Sequence, residues 1–242
     1  MTKEIIKAID SAQRAQRNYD LTKSIPKKDL DTLIYSAVNS PSKQNEIHYS
    51  LAVYTDKDMI RQIYNHTKKF TLIKDASDLE KTFGEKDGRY WQNDDQSVTN
   101  SQILANALFV YIQEQGQARG GTHIVGQRSQ NGNAKTIYNE QQSYSIGISV
   151  GQLILTANLL GYRTGICSAM DSKPIKKLVG TENSVKLLVG IGFENAGTDR
   201  RLHAETLNKD VPEKFRTGEL EEHWKFPSFD KNIKVNINGV DS

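Results

Sequence analysis

The chain has 242 residues, 36% hydrophobic and 25% charged with both signs mixed along its length, a composition that suits one globular domain and not a disordered tail. A formal net charge of +3 is too small to argue for nucleic acid, although it suits ligands that carry phosphates. The single cysteine, Cys167, excludes an intrachain disulfide framework and multi-cysteine zinc patterns, and the absence of a run of about 18 apolar residues leaves a cytoplasmic protein without a membrane partner as the expectation.

In chain order, Ile5, Ile6 and Ile9 stand at helical spacing and lead into the basic stretch Arg14-Ala15-Gln16-Arg17-Asn18-Tyr19. After Pro26, the residues Leu30, Leu33, Ile34, Ala37 and Val38 occupy i, i+3, i+4, i+7 and i+8, which predicts an amphipathic helix. It should end at Asn39-Ser40-Pro41-Ser42, because proline disfavours helical geometry at the residue before it. A polar loop to about His48, a buried strand over 49–55 and a short helix carrying Met59, Ile60 and Ile63 follow.

The apolar, β-prone run from Ala107 to Ile112 is expected to be a central strand. From 113 to 142 the chain is rich in Gln, Gly and Asn, as in a mobile insertion that serves as a lid or is simply disordered. A core helix is expected next, with Ile146, Val150, Leu153, Ile154, Ala157 and Leu160 on one face and Gly161 as its C-terminal cap. Small residues at Gly147, Gly151 and Ala157 suit packing against a partner helix. Val185 to Phe193 is a second buried strand, interrupted by Gly190 and Gly192. The alternation from Asn232 to Asn238, within a C-terminal extension over 206–242, predicts a terminal strand that must pair with something. Strands set among long helices without a regular βαβ rhythm favour an α+β architecture, one sheet between helices.

Several chemistries lack their signatures. There is no phosphate-binding Gly-x-x-x-x-Gly-Lys loop, and Gly190-x-Gly192 lacks the third glycine and the helix start of a dinucleotide fingerprint. His48, His66, His123, His203 and His223 are scattered singly, which predicts surface histidines and no metal site. Without a nucleophile elbow or an assignable triad, an enzyme of this sequence would take its reactivity from a bound cofactor.

Four segments, in this order, resemble the FMN-dependent nitroreductase family and frame the chain from about residue 5 to 205. Arg14-Ala15-Gln16-Arg17-Asn18-Tyr19 is similar to the family's Arg-Ser-x-Arg-x-Phe element, with Gln13 and Ala15 where arginine and serine are usual; its two guanidiniums suit a phosphate and the polar edge of a flavin. Pro41-Ser42-Lys43-Gln44-Asn45 is similar to the Pro-Ser-x-x-Asn loop, which in the family reaches a flavin bound mainly by the other subunit. Ile47-His48-Tyr49 stands in place of the usual Gln-Pro-Trp. Asn100 falls where the family places an asparagine on the flavin pyrimidine edge, with Ile103 at the position of its usual companion lysine. Leu160 to Met170 resembles the Leu-Gly-Leu-Gly-Thr segment, which implies that the backbone N–H groups of Ser168 and Ala169 face flavin N5; Arg200 and Arg201 fall where basic residues close on the phosphate.

The resemblance implies a nitroreductase-like α+β fold with one mainly antiparallel sheet flanked by helices, in an intertwined homodimer whose C-terminal strand extends to the partner. It implies FMN as cofactor, NADH or NADPH as donor, and ping-pong reduction of a small nitroaromatic, quinone or similar acceptor. Arg14, Arg17 and the Ser168–Ala169 backbone would stabilise the reduced, anionic flavin, and no side chain is required as a catalytic acid. The departures at Gln13, Ala15, Ile47 and His48 leave open a related flavoenzyme of different chemistry, such as reductive dehalogenation or flavin fragmentation. A non-catalytic flavin store, or a binder that uses its basic turns on RNA, is the rival from another class.

Overall fold

The computed structural model describes residues 2–42, 45–67, 70–71, 97–98, 100–117, 134–198, 200 and 204. Helix α1 spans Thr2–Ala12 and α2 spans Lys27–Val38, with Pro26 in extended geometry just before α2. Strand β1 (Ile47–Tyr54) is followed by α3 (Lys57–Tyr64), whose first turn is capped by the Asp56 carboxylate accepting from the Met59 N–H at 2.7 Å. Two short strands, β2 (Phe70–Thr71) and β3 (Ser97–Val98), pair with each other. A 3-10 turn over Ser101–Ile103 leads into β4 (Ala107–Gln117). The remaining elements are α4 (Ala134–Leu159), β5 (Arg163–Cys167), α5 (Ser172–Val179) and β6 (Val185–Gly192).

The main sheet has the order β1-β4-β6-β5, and every neighbouring pair is antiparallel. Because side chains alternate along a strand, β4 divides its apolar residues between two cores. Ala107, Phe109 and Tyr111 join Leu33 and Ala37 of α2 and Val150, Leu153 and Ala157 of α4. Leu108, Val110 and Ile112 join Ile60 and Ile63 of α3 and Ile175 of α5. Helices therefore cover both faces of the sheet, as the α+β expectation required.

The first core also holds a short hydroxyl chain. Ser149 Oγ donates to the Ala37 carbonyl at 2.7 Å and lies 2.9 Å from Tyr111 Oη, while Tyr49 Oη donates to the same carbonyl at 2.6 Å. Burial raises the Tyr111 phenol above its ordinary value, chiefly by desolvation.

Several expectations are corrected. The stretch from 113 to 142 is narrower at both ends: β4 continues to Gln117 beside β1, and α4 begins at Ala134. Ile5, Ile6 and Ile9 lie on the exposed side of α1, which buries Ala8 instead. His48 is not a surface residue; its side chain is 1% exposed and its Nε2 lies 3.2 Å from Glu46 Oε2. Gly190 and Gly192 do not interrupt β6: Gly190 pairs with both neighbouring strands and Gly192 with Arg163 of β5. Cys167 is buried in the second core. The expected strand at 232–238 lies outside the described residues.

Candidate functional site

Among the described glycines, three sit where other segments approach closely. Gly165 of β5 and Gly190 of β6 are paired across the sheet, and the 3-10 turn lies directly on them. A Cβ at Gly190 would stand 2.3 Å from the Gln102 carbonyl oxygen, and one at Gly165 would stand 2.5 Å from Gln102 Cβ and 2.9 Å from the Gln16 carbonyl oxygen. One at Gly192 would meet Asn106 Oδ1 and the Tyr19 ring. Only residues without a side chain let the segments around Gln16 and Gln102 settle onto this end of the sheet.

The basic stretch after α1 is held there by main-chain bonds. Gln16 N–H donates to the Thr164 carbonyl at 2.8 Å, so the stretch borders the edge strand β5. Tyr19, fully buried, donates from Oη to the Gln102 carbonyl at 3.0 Å, and Ser101 Oγ donates to the Arg17 carbonyl at 2.8 Å. Burial drives the Tyr19 phenol well above its ordinary value. Asn106, just before β4, donates to the carbonyls of Asp20 at 2.9 Å and Lys23 at 2.8 Å and fixes the exit of the stretch.

Arg17 and Arg200 are clasped to each other's segments. Arg17 N–H donates to the Arg200 carbonyl at 3.0 Å, and Arg200 Nη1 donates to the Ala15 carbonyl at 3.1 Å. Burial, and next the charge of Arg200, bring the Arg17 guanidinium down from its ordinary value to about 10. Two like charges in a partly desolvated corner disfavour each other. Arg14, by contrast, is exposed.

The fourth segment closes the site. Asn100 is 5% exposed, and its Nδ2 donates to the Ala169 carbonyl at 3.2 Å. Gln102 Nε2 donates both to Asn100 Oδ1 at 3.1 Å and to the Ile166 carbonyl at 3.2 Å. Ser168 and Ala169 follow β5 directly, and Asp171 then caps α5 by accepting from the Lys173 N–H at 3.1 Å. Ile103 is fully buried core.

Of the residues singled out from the sequence, the fold brings Arg14, Ala15, Arg17, Asn100, Ser168, Ala169 and Arg200 to the β5 end of the sheet. Pro41, Ser42 and Asn45 lie beside β1, the opposite edge strand. There Ser42 Oγ donates to the Glu46 carbonyl at 2.8 Å, Asn45 adopts a φ of +58°, and Ser42, Asn45 and Ile47 line a pocket of about 550 Å³. Lys43 and Arg201 lie outside the described residues. Among the described residues no group of acidic, histidine or cysteine side chains is placed to hold a metal, and no helix is long and apolar enough to cross a membrane. The sequence reading missed Gln102 and the glycine bed beneath it, because their signal lies in a contact between distant segments.

The model of the nitroreductase family matches residues 11–193, which include the whole main sheet and the Arg14–Arg17 stretch but not Arg200. Among solved structures, a nitroreductase family protein from Clostridium novyi is 15% identical, with 81% of this chain and 89% of that one covered and a TM-score of 0.53. An FMN complex of a protein described as a nitroreductase, from Exiguobacterium sibiricum, is 15% identical over 81% of this chain and 90% of its own, with a TM-score of 0.55. A protein described as an NAD(P)H:FMN oxidoreductase, from Staphylococcus epidermidis, is 14% identical over 81% and 89%, with a TM-score of 0.53. At these identities the likeness is one of fold. No protein of curated function matches the chain.

Proposed function

Since this chain belongs to the nitroreductase family, we propose that it binds FMN and works as an NAD(P)H-dependent reductase of small oxidised acceptors. The observation that carries this reading is the Arg17–Arg200 clasp, a like-charged and partly desolvated pair that suits a phosphate. Arg14, exposed beside it, would add positive charge, and Arg201 is proposed to do the same.

The residues present fit the rest of the group. The Asn100 amide and the main chain of Ser168 and Ala169 are polar groups held on one wall of the site, suited to the edge of a flat heterocycle. When bound, FMN supplies the hydride-accepting N5 that no side chain here replaces. The chain's own part is to grip the phosphate, orient the ring and offer positive charge and N–H groups where negative charge develops. NADH or NADPH and the acceptor would use one face in turn, the first leaving before the second arrives.

We read the enzyme as a cytoplasmic homodimer of single-domain subunits. Supporting this, Tyr144, Ile148 and Leu159 form an exposed apolar stripe on α4, interleaved with Gly147 and Gly151, where an added Cβ would meet nothing within 4 Å. A second copy would cover that stripe and bring Pro41, Ser42, Lys43 and Asn45 to the flavin of its partner, while the strand at 232–238 pairs with the partner's sheet.

Binding of FMN and riboflavin by the flavin-free protein tests the reading. The clasp predicts that FMN, which carries the phosphate, binds on the order of a hundredfold more tightly. Equal affinities would remove the phosphate site from the proposal.

A further inference from the structure

We propose that Gln102 is the positioning residue of the flavin site, acting through Asn100; the inference rests on the FMN reading above. Neither the motif resemblance nor the family match points to this residue. Its place in the structure does, because it joins three of the converging segments at once.

The main-chain carbonyl of Gln102 accepts from Tyr19 Oη at 3.0 Å, which ties it to the basic stretch. Its side-chain Nε2 holds Asn100 Oδ1 and the carbonyl of Ile166 on β5. With Asn100 Oδ1 occupied in this way, the Asn100 amide has one orientation, and its Nδ2 faces the Ala169 carbonyl. A rotated amide would place Nδ2 against the Gln102 donor and Oδ1 against the Ala169 carbonyl, both repulsive. Gln102 therefore helps to fix which way Asn100 points, together with the Ala169 carbonyl, and ties Asn100 to the Ile166–Ala169 segment.

This arrangement carries a cost in stability. Gln102 Oε1 is buried with no hydrogen-bond partner, a cost that an apolar side chain of the same length would not carry. A methionine at this position keeps the Cβ packing on Gly165 and the carbonyl that receives Tyr19, and loses only the amide. A site that accepts an unsatisfied oxygen in order to keep one donor is using that donor.

The test is a cycle of three variants, Gln102→Met, Asn100→Ala and the two together, with FMN affinity and thermal melting of the flavin-free proteins as readouts. Gln102→Met should weaken FMN binding about tenfold while melting no lower than the parent. Because one residue acts through the other, the double variant should bind FMN no more weakly than Asn100→Ala alone. The visible circular dichroism of bound FMN should change in Gln102→Met, since the ring's neighbours are reoriented. Unchanged FMN affinity in Gln102→Met would overturn the inference and leave the FMN reading standing. Losses that add in the double variant, or weaker binding that comes only with a lower melting temperature, would also overturn it. A parent protein that takes up no FMN would overturn both.

Discussion

The side-chain amide of Asn100 donates to the main-chain carbonyl of Ala169 across 3.2 Å, joining residues 69 apart in the chain. That bond ties the 3-10 turn to the segment after β5, and the Arg17–Arg200 clasp closes the same end of the sheet from the other side. Polar and cationic groups are thus carried by separate segments that the glycine bed brings together.

The bed itself is open to test by filling it. Gly190→Ala would push a methyl into the Gln102 carbonyl, and Gly165→Ala would crowd both Gln102 and Gln16. Each should cost about 1–3 kcal/mol of stability and displace the turn. Denaturant unfolding checks the first effect and FMN titration the second; a Gly190→Ala protein as stable as the parent would contradict the packing described.

Arg14 and Arg17 should differ although they are three residues apart. Arg17 is partly desolvated beside Arg200, whereas Arg14 stands in solvent where charge is screened. Arg17→Ala should weaken FMN at least about tenfold, and Arg14→Ala about threefold or less. Inorganic phosphate should also raise the melting temperature of the flavin-free parent and not of Arg17→Ala.

The exposed stripe on α4 predicts the assembly. Gly151→Leu has room in a single subunit but blocks the close approach of a second helix. Sedimentation should find the parent as a dimer and Gly151→Leu shifted toward monomer. A parent that sediments as a monomer at working concentration would contradict the homodimer.

Cys167 gives a dependence on pH. Burial, opposed only by the main chain of Ala169, pushes the thiol from 9.0 up to about 11. The folded state thus holds the proton more tightly than the unfolded chain. Its contribution to stability is complete below about 9 and is lost as pH rises toward about 11. Melting temperatures across that window should fall less in Cys167→Ala, and at pH near neutral the thiol should resist alkylation until the protein unfolds.

Periodic signals survived translation from sequence to structure, and contacts between distant segments did not announce themselves. Helix α2 was legible because Pro26 and the spacing of Leu30, Leu33 and Ala37 agree, and β4 because Ala107 to Ile112 is apolar on both faces. Strand β5 was not, since five residues containing Gly165 and Arg163 have no clean alternation and pair only by virtue of β6. Helix α5 is disguised by Pro174, which its first turn tolerates because the N–H groups there need no helical partner. The extension of β4 through Gln113 and Glu114 is polar, and its partner β1 supplies what the side chains do not advertise. Arg14, Arg17, Asn100, Ser168 and Ala169 are candidates through motif resemblance, whereas Gln102 becomes one only once Gly165 and Gly190 are seen beneath it.

The most direct test of the central claim is the visible absorbance of the FMN-loaded protein, followed without oxygen as NADH or NADPH is added. The reductase reading predicts a yellow protein whose flavin absorbance bleaches with one of the two donors and returns when a quinone or nitroaromatic acceptor is added. A yellow protein that neither donor bleaches, or a protein that takes up no FMN at all, would contradict it.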